Sequence, residues 1–431
     1  MLYDNLSVNE KGHLCFAGYD TVDLAGEFGT PLLLMDEQRI RSRCRTYVKA
    51  LRENFPEGSQ PLFASKSLSC KRIYEIVREE GMGIDVVSAG ELYTAAASGF
   101  PMERAYYHGN SKTDENIRFA MEKNMGCFVC DNEDELNAVD RIAGEMGRKQ
   151  KLIFRLSPGI DPHTHAKIST GQVDSKFGAA IETGQAEELL LEALEKKNVE
   201  VMGFHCHIGS QILERDPFLE AAEQMLAFAA AMYEKHGFVT KTVNLGGGMG
   251  VPYTENDPKV DYAGNIAAIG AVVREKCAKF GIPVPVILME PGRSIVADSG
   301  MTLYTVQSIK RIRGYKNYVA INGGMTDNPR YTLYQADYTV LAADRMNDAC
   351  NFPCTVAGCC CESGDLLSES AVLPEMKRGE LLAVLTTGAY NYSMASNYNR
   401  VPRPPIVMIG ENGPYVAVRR ESFEDLMKCD V

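Results

Sequence analysis

The sequence lacks an excess of positive charge, because 45 lysines and arginines stand against 57 aspartates and glutamates, for a formal net charge of -12. This excludes a broad cationic surface, and with it nucleic acid or an anionic membrane as the main partner. Long apolar runs are also missing, since the most apolar helix-like segment, residues 225–233, is far too short to cross a bilayer. The first residues join no basic region to an apolar run, so we expect no signal peptide and a cytoplasmic location.

Cysteine, by contrast, is abundant, with 13 residues. Without a secretion signal these are expected to be reduced thiols. Cys127 and Cys130 form a lone C-x-x-C, and a zinc site would need a second pair at suitable spacing. The run Gly-Cys-Phe-Val-Cys around them is typical of a buried strand. We therefore predict that both cysteines belong to the core.

The order of short apolar runs predicts a barrel. A chain of 431 residues indicates two domains, or one large barrel with an appendage. Candidate strands, with helix-like segments between them, are residues 61–65, 83–87, 105–108, 126–130, 151–156, 201–207, 241–245 and 285–290. This alternation is typical of a (β/α)8 TIM barrel, with a doubly wound sheet as the competing α/β architecture. The clearest helix begins at Asp216-Pro217 and ends near Gly237.

The placement of polar residues favours the barrel over the open sheet. Polar residues and glycine fall at or just past the carboxyl ends of the candidate strands, and these are Lys66, Ser88, His108, Arg155, His207, Gly246 and Glu290. In a barrel those ends meet at one mouth, where active sites form. After about residue 295, β-rich stretches predict a mainly antiparallel domain, which the strand-like residues 30–36 would join. The predicted division is an N-terminal segment 1–35, a barrel 36–295 and a C-terminal β domain 296–431.

Two motifs point to a phosphate and an aromatic cofactor. The glycines of NLGGGMG, residues 244–250, let backbone N–H groups approach a phosphate, although a plain tight turn is the alternative. In HCHIGSQ, residues 205–211, His205 and His207 point the same way along a strand. Such a pair could bind metal in a hydrolase, but the other histidines do not recur in that pattern. A flat imidazole packed on an aromatic cofactor fits better, so no metal is predicted.

Two further motifs point to pyridoxal 5′-phosphate (PLP). EPGRSIVA, residues 290–297, places Glu290 and Arg293 three residues apart. A carboxylate keeps a pyridine nitrogen protonated, which makes PLP an electron sink, and an arginine can hold a phosphate or a substrate carboxylate. A structural ion pair is the alternative. Lys66 follows the first barrel strand opposite the glycine loop, which makes it a candidate to carry a cofactor as an imine.

Taken together, the motifs resemble one family over nearly the whole chain. They are FASK, DVVSAGEL, HGNSK, RLSPGIDPHTHAKISTGQVDSKFG, GFHCHIGSQI, NLGGGMG, EPGRSIVA, CESGD and GAYNYSMASNYN. In this order they resemble the diaminopimelate decarboxylases, which belong to the fold-type III, alanine-racemase-like PLP decarboxylases. The resemblance implies a carboxy-lyase that converts meso-2,6-diaminopimelate to L-lysine and carbon dioxide, the last step of lysine biosynthesis. The expected partners are this small amino acid and a second copy of the chain.

The resemblance also implies a role for individual residues. Lys66 forms the Schiff base, His207 stacks on the ring and Glu290 meets the pyridine nitrogen. Cys361 is the expected proton donor, reaching in from the second subunit of a homodimer with shared active sites. The remaining cofactor-binding residues are Ser210, Gly246, Gly247, Gly248, Gly292, Arg293 and Tyr390. The substrate-binding residues are Arg293, Arg330, Tyr334, Glu362 and Tyr390.

Three departures from the family pattern and two rival functions stand beside this interpretation. The lysine motif reads FASKSLSC where Tyr-Ala-x-Lys-Ala-Asn is common, Asn322 stands where aspartate is common, and three cysteines run from 359 to 361. One rival is a decarboxylase of another diamino acid or of carboxynorspermidine. The other is a decarboxylase-like regulator without catalysis, which is disfavoured because Lys66, His207 and Glu290 are all present.

Overall fold

The computed structural model describes residues 1–160 and 175–431. The DPHTHAKISTGQVD part of the longest family motif, residues 161–174, lies outside the described residues. The chain divides into two compact units, which are treated one at a time below. The barrel unit comprises Arg41–Gly250 and Val260–Gly292, and the β unit comprises Met1–Ile40, Val251–Lys259 and Arg293–Val431.

The chain begins in the β unit. Its first elements are β1 (Leu6–Val8), β2 (Leu14–Phe16), β3 (Tyr19–Asp20), α1 (Thr21–Phe28) and β4 (Leu32–Asp36). Helix α2 (Glu37–Asn54) begins in this unit and continues into the barrel unit from Arg41. Strands β1 to β3 form a small antiparallel sheet. Helix α1 begins after Asp20, whose carboxylate accepts a hydrogen bond from the Val22 N–H, as is usual for an N-cap. All five residues of β4 are buried, which fits a central strand.

The barrel unit alternates strands and helices. Its elements are β5 (Gln60–Ala64), α3 (Lys71–Glu79), β6 (Gly83–Val86), α4 (Ala89–Ala97), β7 (Ala105–Tyr107), α5 (Asp114–Glu122), β8 (Cys127–Cys130), α6 (Glu133–Glu145), β9 (Gln150–Ser157), β10 (Ala179–Ala180), α7 (Gln185–Glu195), β11 (Val199–Cys206), α8 (Asp216–His236), β12 (Thr242–Asn244), α9 (Tyr262–Phe280) and β13 (Val286–Met289). Eight of the strands form a closed parallel barrel, in which β13 pairs with β5 and β8 pairs with β9. The short β10 adds to β9 outside this ring.

The barrel strands lie where the apolar runs predict them, because parallel strands covered on both faces require nearly continuous apolar sequence. Helix α8 begins at Asp216 and ends before Gly237, whose φ of +67° suits glycine at a helix end. Cys127 and Cys130 are both buried on β8, which confirms their place in the core. Residues three apart on a strand face opposite ways, so this pair cannot act as one half of a metal site. All thirteen cysteines, which lie in the described part of the chain, are unpaired.

The β unit resumes after the barrel. Its later elements are α10 (Arg293–Val296), β14 (Gly300–Ile312), β15 (Lys316–Ile321), α11 (Arg330–Tyr334), β16 (Val340–Ala342), β17 (Phe352–Ala357), β18 (Leu366–Leu373), β19 (Leu381–Leu385), β20 (Ile406–Gly410), β21 (Gly413–Val418) and α12 (Phe423–Met427). One sheet runs in the order β18-β17-β15-β14-β4-β20-β21, and β19 joins β14 and β16. The long β14 is its centre, since it pairs antiparallel with β4, β15 and β19. Its core includes Leu32, Leu34, Met301, Leu303 and Val407.

These observations confirm the predicted fold class: a (β/α)8 barrel and a mainly antiparallel β domain that includes the N-terminal segment. The structure adds that residues Val251–Lys259, between barrel elements in sequence, belong to the β unit. The exact domain boundaries stay a prediction. Among the described residues, no helix combines the length and the apolar character that a membrane span needs.

Candidate active site

Lys66 lies in a tight turn at the mouth of the barrel. Strand β5 ends at Ala64 and the chain continues directly into a 3-10 turn, Ser65–Ser67. Ser65 and Ser67 are buried, whereas Lys66 between them is exposed. The Ser67 hydroxyl donates a hydrogen bond of 2.7 Å to the Ala64 carbonyl and closes the turn. Lys66 is therefore an exposed residue in a turn whose backbone is closed by Ser67.

Two neighbouring segments hold this turn. The Ala64 N–H donates to the Pro291 carbonyl at 3.0 Å, which joins β5 to the EPGR motif. A Cβ atom added to Gly292 would lie 2.8 Å from the Ala64 Cβ, so only glycine fits at this approach. The unusual serines of the lysine motif also have local uses, since the Ser69 and Tyr74 hydroxyl oxygens lie 2.9 Å apart. The departure from the family motif is thus absorbed by hydrogen bonds within the turn and α3.

The glycine loop follows β12 and has no room for side chains. Gly246 has a φ of +67° and Gly248 a φ of +118°, conformations that residues with a side chain rarely adopt. A Cβ atom on Gly247 would lie 2.1 Å from the Glu290 carbonyl oxygen, and one on Gly248 would lie 2.5 Å from the Gly209 carbonyl oxygen. The glycines therefore allow this loop to lie directly on the backbone of its two neighbours.

The loop after β11 is bonded to the glycine loop. The Ile212 N–H donates to the Gly248 carbonyl at 3.0 Å, and the Gly250 N–H donates to the Ile212 carbonyl at 2.9 Å. His207 directly follows β11 and is partly exposed, and the half-buried Ser210 lies two residues before Ile212. The structure thus brings together the phosphate-loop and histidine motifs that the sequence analysis identified separately.

Glu290 lies one residue past β13 and is surrounded by hydrogen-bond donors. Its carboxylate oxygen Oε1 lies 2.7 Å from His108 Nε2 and accepts a hydrogen bond of 2.7 Å from Asn244 Nδ2. Its other oxygen, Oε2, lies 3.1 Å from His205 Nε2. All four side chains are buried, with Glu290 only 7% exposed. The sequence predicts His108 at a strand end, but the contacts of His108 and Asn244 with Glu290 were not predicted.

The protonation of this cluster follows from its surroundings. Burial by itself would raise the pKa of Glu290, but the contacts with His108 and His205 outweigh it and hold the pKa well below its usual range. Burial lowers the pKa of His205 to about 4 and also lowers that of His108. At neutral pH the cluster is therefore an ionised carboxylate held by two neutral imidazoles. The ligand-type atoms of the three residues lie within 4.8 Å of one another; the absence of a metal stays a prediction.

The groups near Lys66 are also tuned by burial. Asp85 on β6 is 3% exposed, and burial followed by repulsion from Glu290 raises its pKa well above the usual value, against the attraction of Lys66. Burial and then the charges of Lys66 and Arg155 lower the pKa of His207 well below its usual value. His207 is consequently a neutral, flat ring at physiological pH, which is suited to stacking on an aromatic ligand.

In the β unit, two arginines that were predicted as site residues, Arg293 and Arg330, both contact Tyr253. Arg293 begins α10, is buried, donates a hydrogen bond to the Tyr253 hydroxyl and lies with its guanidinium carbon 4.8 Å from the centre of the Tyr390 ring. Arg330 begins α11, donates to the Tyr338 hydroxyl at 2.9 Å and lies 4.6 Å from the centre of the Tyr253 ring. Tyr253 thus contacts both arginines, and the sequence analysis did not single it out.

Arg330 carries an uncompensated charge. It is 5% exposed, and no carboxylate forms an ion pair with it among the residues that the structure describes. Burial by itself would lower the pKa of Arg330, but the surrounding tyrosines, first Tyr253 and Tyr338, raise it above its ordinary value. A guanidinium that stays charged in such a place can bind a ligand carboxylate by bidentate hydrogen bonds.

Three further predicted residues of the β unit, Cys361, Glu362 and Tyr334, differ in exposure. Cys361 and Glu362 are exposed, and the Cys361 N–H donates to Asn399 Oδ1 at 2.8 Å. Tyr334, at the end of α11, is half-buried. The N–H of Cys360, the residue before Cys361, donates to Asp365 Oδ2 at 2.8 Å. The three-cysteine stretch is therefore held by its backbone, and the thiol of Cys361 is accessible in a single chain.

Asn322, the second departure from the family pattern, has a structural explanation. The Thr305 N–H donates to Asn322 Oδ1 at 2.8 Å, and Asn322 Nδ2 donates to the Thr30 hydroxyl at 2.9 Å. An aspartate could accept the first hydrogen bond but could not donate the second. Asn322 thus joins β15 to β14 and to the chain before β4.

The barrel unit offers the groups that PLP requires. Lys66 supplies an amine, Glu290 an anion for a pyridine nitrogen, and His207 a flat neutral ring. The glycine loop supplies, at the end of β12, a stretch of backbone that carries no side chains of its own. These donors are chemically complete for the cofactor, so the residues present fit it.

Comparisons with known proteins agree. Residues 37–297 match the family described as "Pyridoxal-dependent decarboxylase, pyridoxal binding domain". The diaminopimelate decarboxylase of Bacillus subtilis is 43% identical over 425 residues, which cover 98% of this chain and 96% of the relative. The crystal structure of diaminopimelate decarboxylase from M. jannaschii in complex with L-lysine superposes with a TM-score of 0.90 at 34% identity, covering 99% of this chain and 98% of that one. The lysine/ornithine decarboxylase from Vibrio vulnificus in complex with putrescine gives 0.75 at 25% identity, covering 91% and 98%.

The sequence match covers most of the chain, and the barrel carries the lysine, the glycine loop and the buried glutamate. Together these observations identify the family. The chain belongs to the diaminopimelate decarboxylase family of PLP-dependent decarboxylases, and its cofactor is PLP.

Proposed function

We propose that this chain decarboxylates meso-2,6-diaminopimelate to L-lysine and carbon dioxide, the last step of lysine biosynthesis. The observation that carries the proposal is Arg330, a buried arginine that tyrosines line and no described carboxylate neutralises. Diaminopimelate differs from lysine and ornithine in having a second carboxylate at its far end. A buried guanidinium favours a substrate with that carboxylate, because a substrate lacking it would leave the charge uncompensated.

We assign the cofactor to residues of the predicted set. Lys66 is the point of covalent attachment, His207 covers the ring, and Glu290 holds the proton on the pyridine nitrogen. The residues assigned to the phosphate and its surroundings are Ser210, Gly246, Gly247, Gly248, Gly292, Arg293 and Tyr390. When bound, PLP draws the electrons of the broken carbon–carboxylate bond into its ring. The ionised state of Glu290 and the neutral state of His207 support these two assignments.

Other residues bind the substrate and complete the reaction. Arg330 binds the far carboxylate, with Tyr334, Arg293 and Tyr390 as further substrate contacts. Glu362 is suited to the far ammonium group because it carries the opposite charge. Cys361 donates the proton that replaces the lost carboxylate at the α-carbon, as a thiol can act as a general acid.

We further propose that the protein acts as a homodimer with shared active sites. Cys361 and Glu362 are exposed in a single chain. Exposed catalytic groups of this kind are expected if they serve the second subunit. A cytoplasmic location also stays a prediction.

A substrate panel tests the proposed reaction. The purified protein with added PLP is given meso-2,6-diaminopimelate, L-lysine or L-ornithine, and released carbon dioxide and the amine product are measured. We expect diaminopimelate to be the preferred substrate and L-lysine the product. Preference for ornithine or lysine would instead place the chain with enzymes such as the Vibrio vulnificus one, and no turnover of any of the three would contradict the proposal.

A further inference from the structure

Both carboxylate oxygens of Glu290 contact buried polar side chains. One oxygen lies 2.7 Å from His108 Nε2 and receives the Asn244 amide, and the other lies 3.1 Å from His205 Nε2. The Asn244 side chain is itself held, because its Oδ1 accepts a hydrogen bond of 2.9 Å from the Gly246 N–H. Glu290 itself directly follows β13. Its carboxylate is thus contacted by residues on or just after three other strands, β7, β11 and β12.

The geometry also defines the state of His205. Its Nε2 faces the carboxylate, so this nitrogen carries the proton, while Nδ1 is buried and has no hydrogen-bond partner among the described residues. A second proton on Nδ1 would bury an N–H group without an acceptor, which is costly. The His108 and His205 rings meet edge to face, with centres 4.8 Å apart. His205 is therefore a neutral donor that holds Glu290 without cancelling its charge.

Other charged groups act on the same carboxylate from neighbouring strands. Arg155 on β9 and Lys66 after β5 are cationic, Asp85 on β6 is a buried acid, and His207 follows β11. At the carboxylate itself, His205 Nε2 and the Asn244 amide lie at hydrogen-bond distance, and His108 Nε2 makes a polar contact of 2.7 Å outside hydrogen-bond geometry. Orientation of the carboxylate consequently depends on the two histidines and Asn244.

We propose that His108 and His205 are positioning residues, which hold Glu290 as a fixed, fully charged acceptor for the pyridine N–H of the cofactor. The inference rests on the role proposed above for Glu290. Neutral donors serve this purpose better than arginine or lysine, because a cation would form an ion pair with Glu290 and weaken its hold on the ring proton. Loss of either imidazole removes a close polar contact from the buried carboxylate, which favours neutralisation of Glu290 and release of the ring proton.

The test uses the holoenzyme reconstituted with PLP that carries nitrogen-15 in its ring. The nitrogen-15 chemical shift reports ring protonation directly and does not depend on turnover. We compare His205→Leu, which removes the donor, with His205→Gln, whose amide can reach as far as Nε2. His108→Leu and His108→Gln form the second pair. The matched control is His236→Gln, since His236 Nε2 also contacts a glutamate, Glu187, at 2.8 Å, but at the end of α8.

We expect the leucine variants to shift the ring nitrogen toward its unprotonated value and to lower kcat roughly 10- to 100-fold, as loss of a hydrogen bond to a charged group implies. The glutamine variants should retain most of the native shift, and His236→Gln should match the wild type. Thermal unfolding checks the fold. If His205→Leu does not fold, His205→Asn, which is polar but too short to reach Oε2, replaces it.

Glu290→Gln separates this inference from the function on which it rests. If Glu290→Gln shifts the ring nitrogen but neither leucine variant does, the positioning role is wrong and the role of Glu290 stands. If Glu290→Gln leaves the shift unchanged, the proposed role of Glu290 fails and the inference fails with it. If glutamine and leucine at 205 have equal effects, His205 fills space only, which also overturns the inference.

Discussion

Glu290 in the barrel unit and Asp327 in the β unit are both buried carboxylates, yet their pKa values move in opposite directions. Burial by itself would raise the pKa of Glu290, but the contacts with His108 and His205 hold it well below its usual range. Burial raises the pKa of Asp327 to about 6, although the Tyr304 hydroxyl and the Gly324 N–H donate to it. Burial alone thus does not decide whether an acid ionises; the number and kind of its donors do.

The comparison extends to the cations. In the barrel unit, the buried Lys112 lies 2.6 Å from Glu135, so its charge is compensated within the fold. In the β unit, Arg330 is surrounded by tyrosine rings and has no carboxylate partner among the described residues. The proposed function assigns Arg330 to a ligand, and it does the same for Glu290, which polar side chains hold without a described lysine or arginine ion pair. Substitutions at these groups and at matched control residues test this difference.

Lys66→Ala should remove the visible absorbance of bound cofactor and reduce turnover to background, because no other amine occupies the turn after β5. The fold should survive, since the Lys66 side chain is exposed and the turn is closed by Ser67. Absorbance spectra and turnover of diaminopimelate provide the measurement. Lys71→Ala, at the exposed start of α3, is the control. Turnover that persists in Lys66→Ala would refute the assignment of the cofactor lysine.

Arg330→Gln should lower kcat/KM for diaminopimelate roughly 10²- to 10³-fold, because it removes one partner of a buried charge pair with the substrate. Cofactor absorbance should be unchanged, since Arg330 is assigned to the substrate. Steady-state kinetics with the substrate panel measure the effect.

Arg311→Gln, an exposed arginine of the same unit, should behave as the wild type. If Arg330→Gln lowers kcat/KM equally for substrates with and without a far carboxylate, Arg330 stabilises the fold and does not bind that carboxylate.

Cys361→Ser should lower kcat about 100-fold, because a serine hydroxyl is a much weaker proton donor than a thiol. Cys359→Ser and Cys360→Ser are matched controls in the same stretch and should change kcat little. Single-turnover kinetics separate proton donation from substrate binding. If Cys359→Ser or Cys360→Ser gives the largest loss instead, the proton donor has been assigned to the wrong cysteine.

Asp327→Asn should alter stability only above about pH 4. A folded-state pKa raised from 3.8 to about 6 means that the stabilisation by the protonated acid is complete below 3.8 and is lost as the pH rises through 6. An asparagine resembles the protonated form at every pH, so the variant should exceed the wild type by roughly 1–3 kcal/mol at pH 8 and by little at pH 4.

Urea unfolding at the two pH values measures this difference for Asp327→Asn. Asp348→Asn, a more exposed acid of the β unit, is the control and should show no such trend. If the free energy of unfolding of the wild type rises between pH 4 and 8 relative to Asp327→Asn, the direction assigned to the Asp327 pKa is wrong.

Much of the fold could be predicted from sequence because each barrel strand is a short apolar run that ends in a polar or glycine residue. Lys66, His207 and Glu290 each lie one or two residues past a strand, and the carboxyl ends of parallel strands meet at one mouth. Short strands gave no comparable signal. Strand β10 has two residues and β16 has three, and β18 has three exposed positions among its eight, which breaks the apolar pattern.

The supporting residues of the site could not be found in this way. His108 and Asn244 contact Glu290 from strands that are distant in sequence, and any polar residue at a strand end would have looked the same. Tyr253 was missed for a similar reason, since one of 20 tyrosines stands out only when its contacts with Arg293 and Arg330 are known.

Apolar periodicity and strand-end motifs are local properties of the chain, so they were enough to predict the barrel, the β domain and a set of candidate site residues. Which charged groups contact one another follows only from the packed fold. Glu290 is contacted by His108 and His205 from strands far apart in sequence, whereas Arg330 lies against the nearby Tyr338 and the distant Tyr253. Charge compensation falls off steeply with distance and depends on burial, so it is a property of the packed fold.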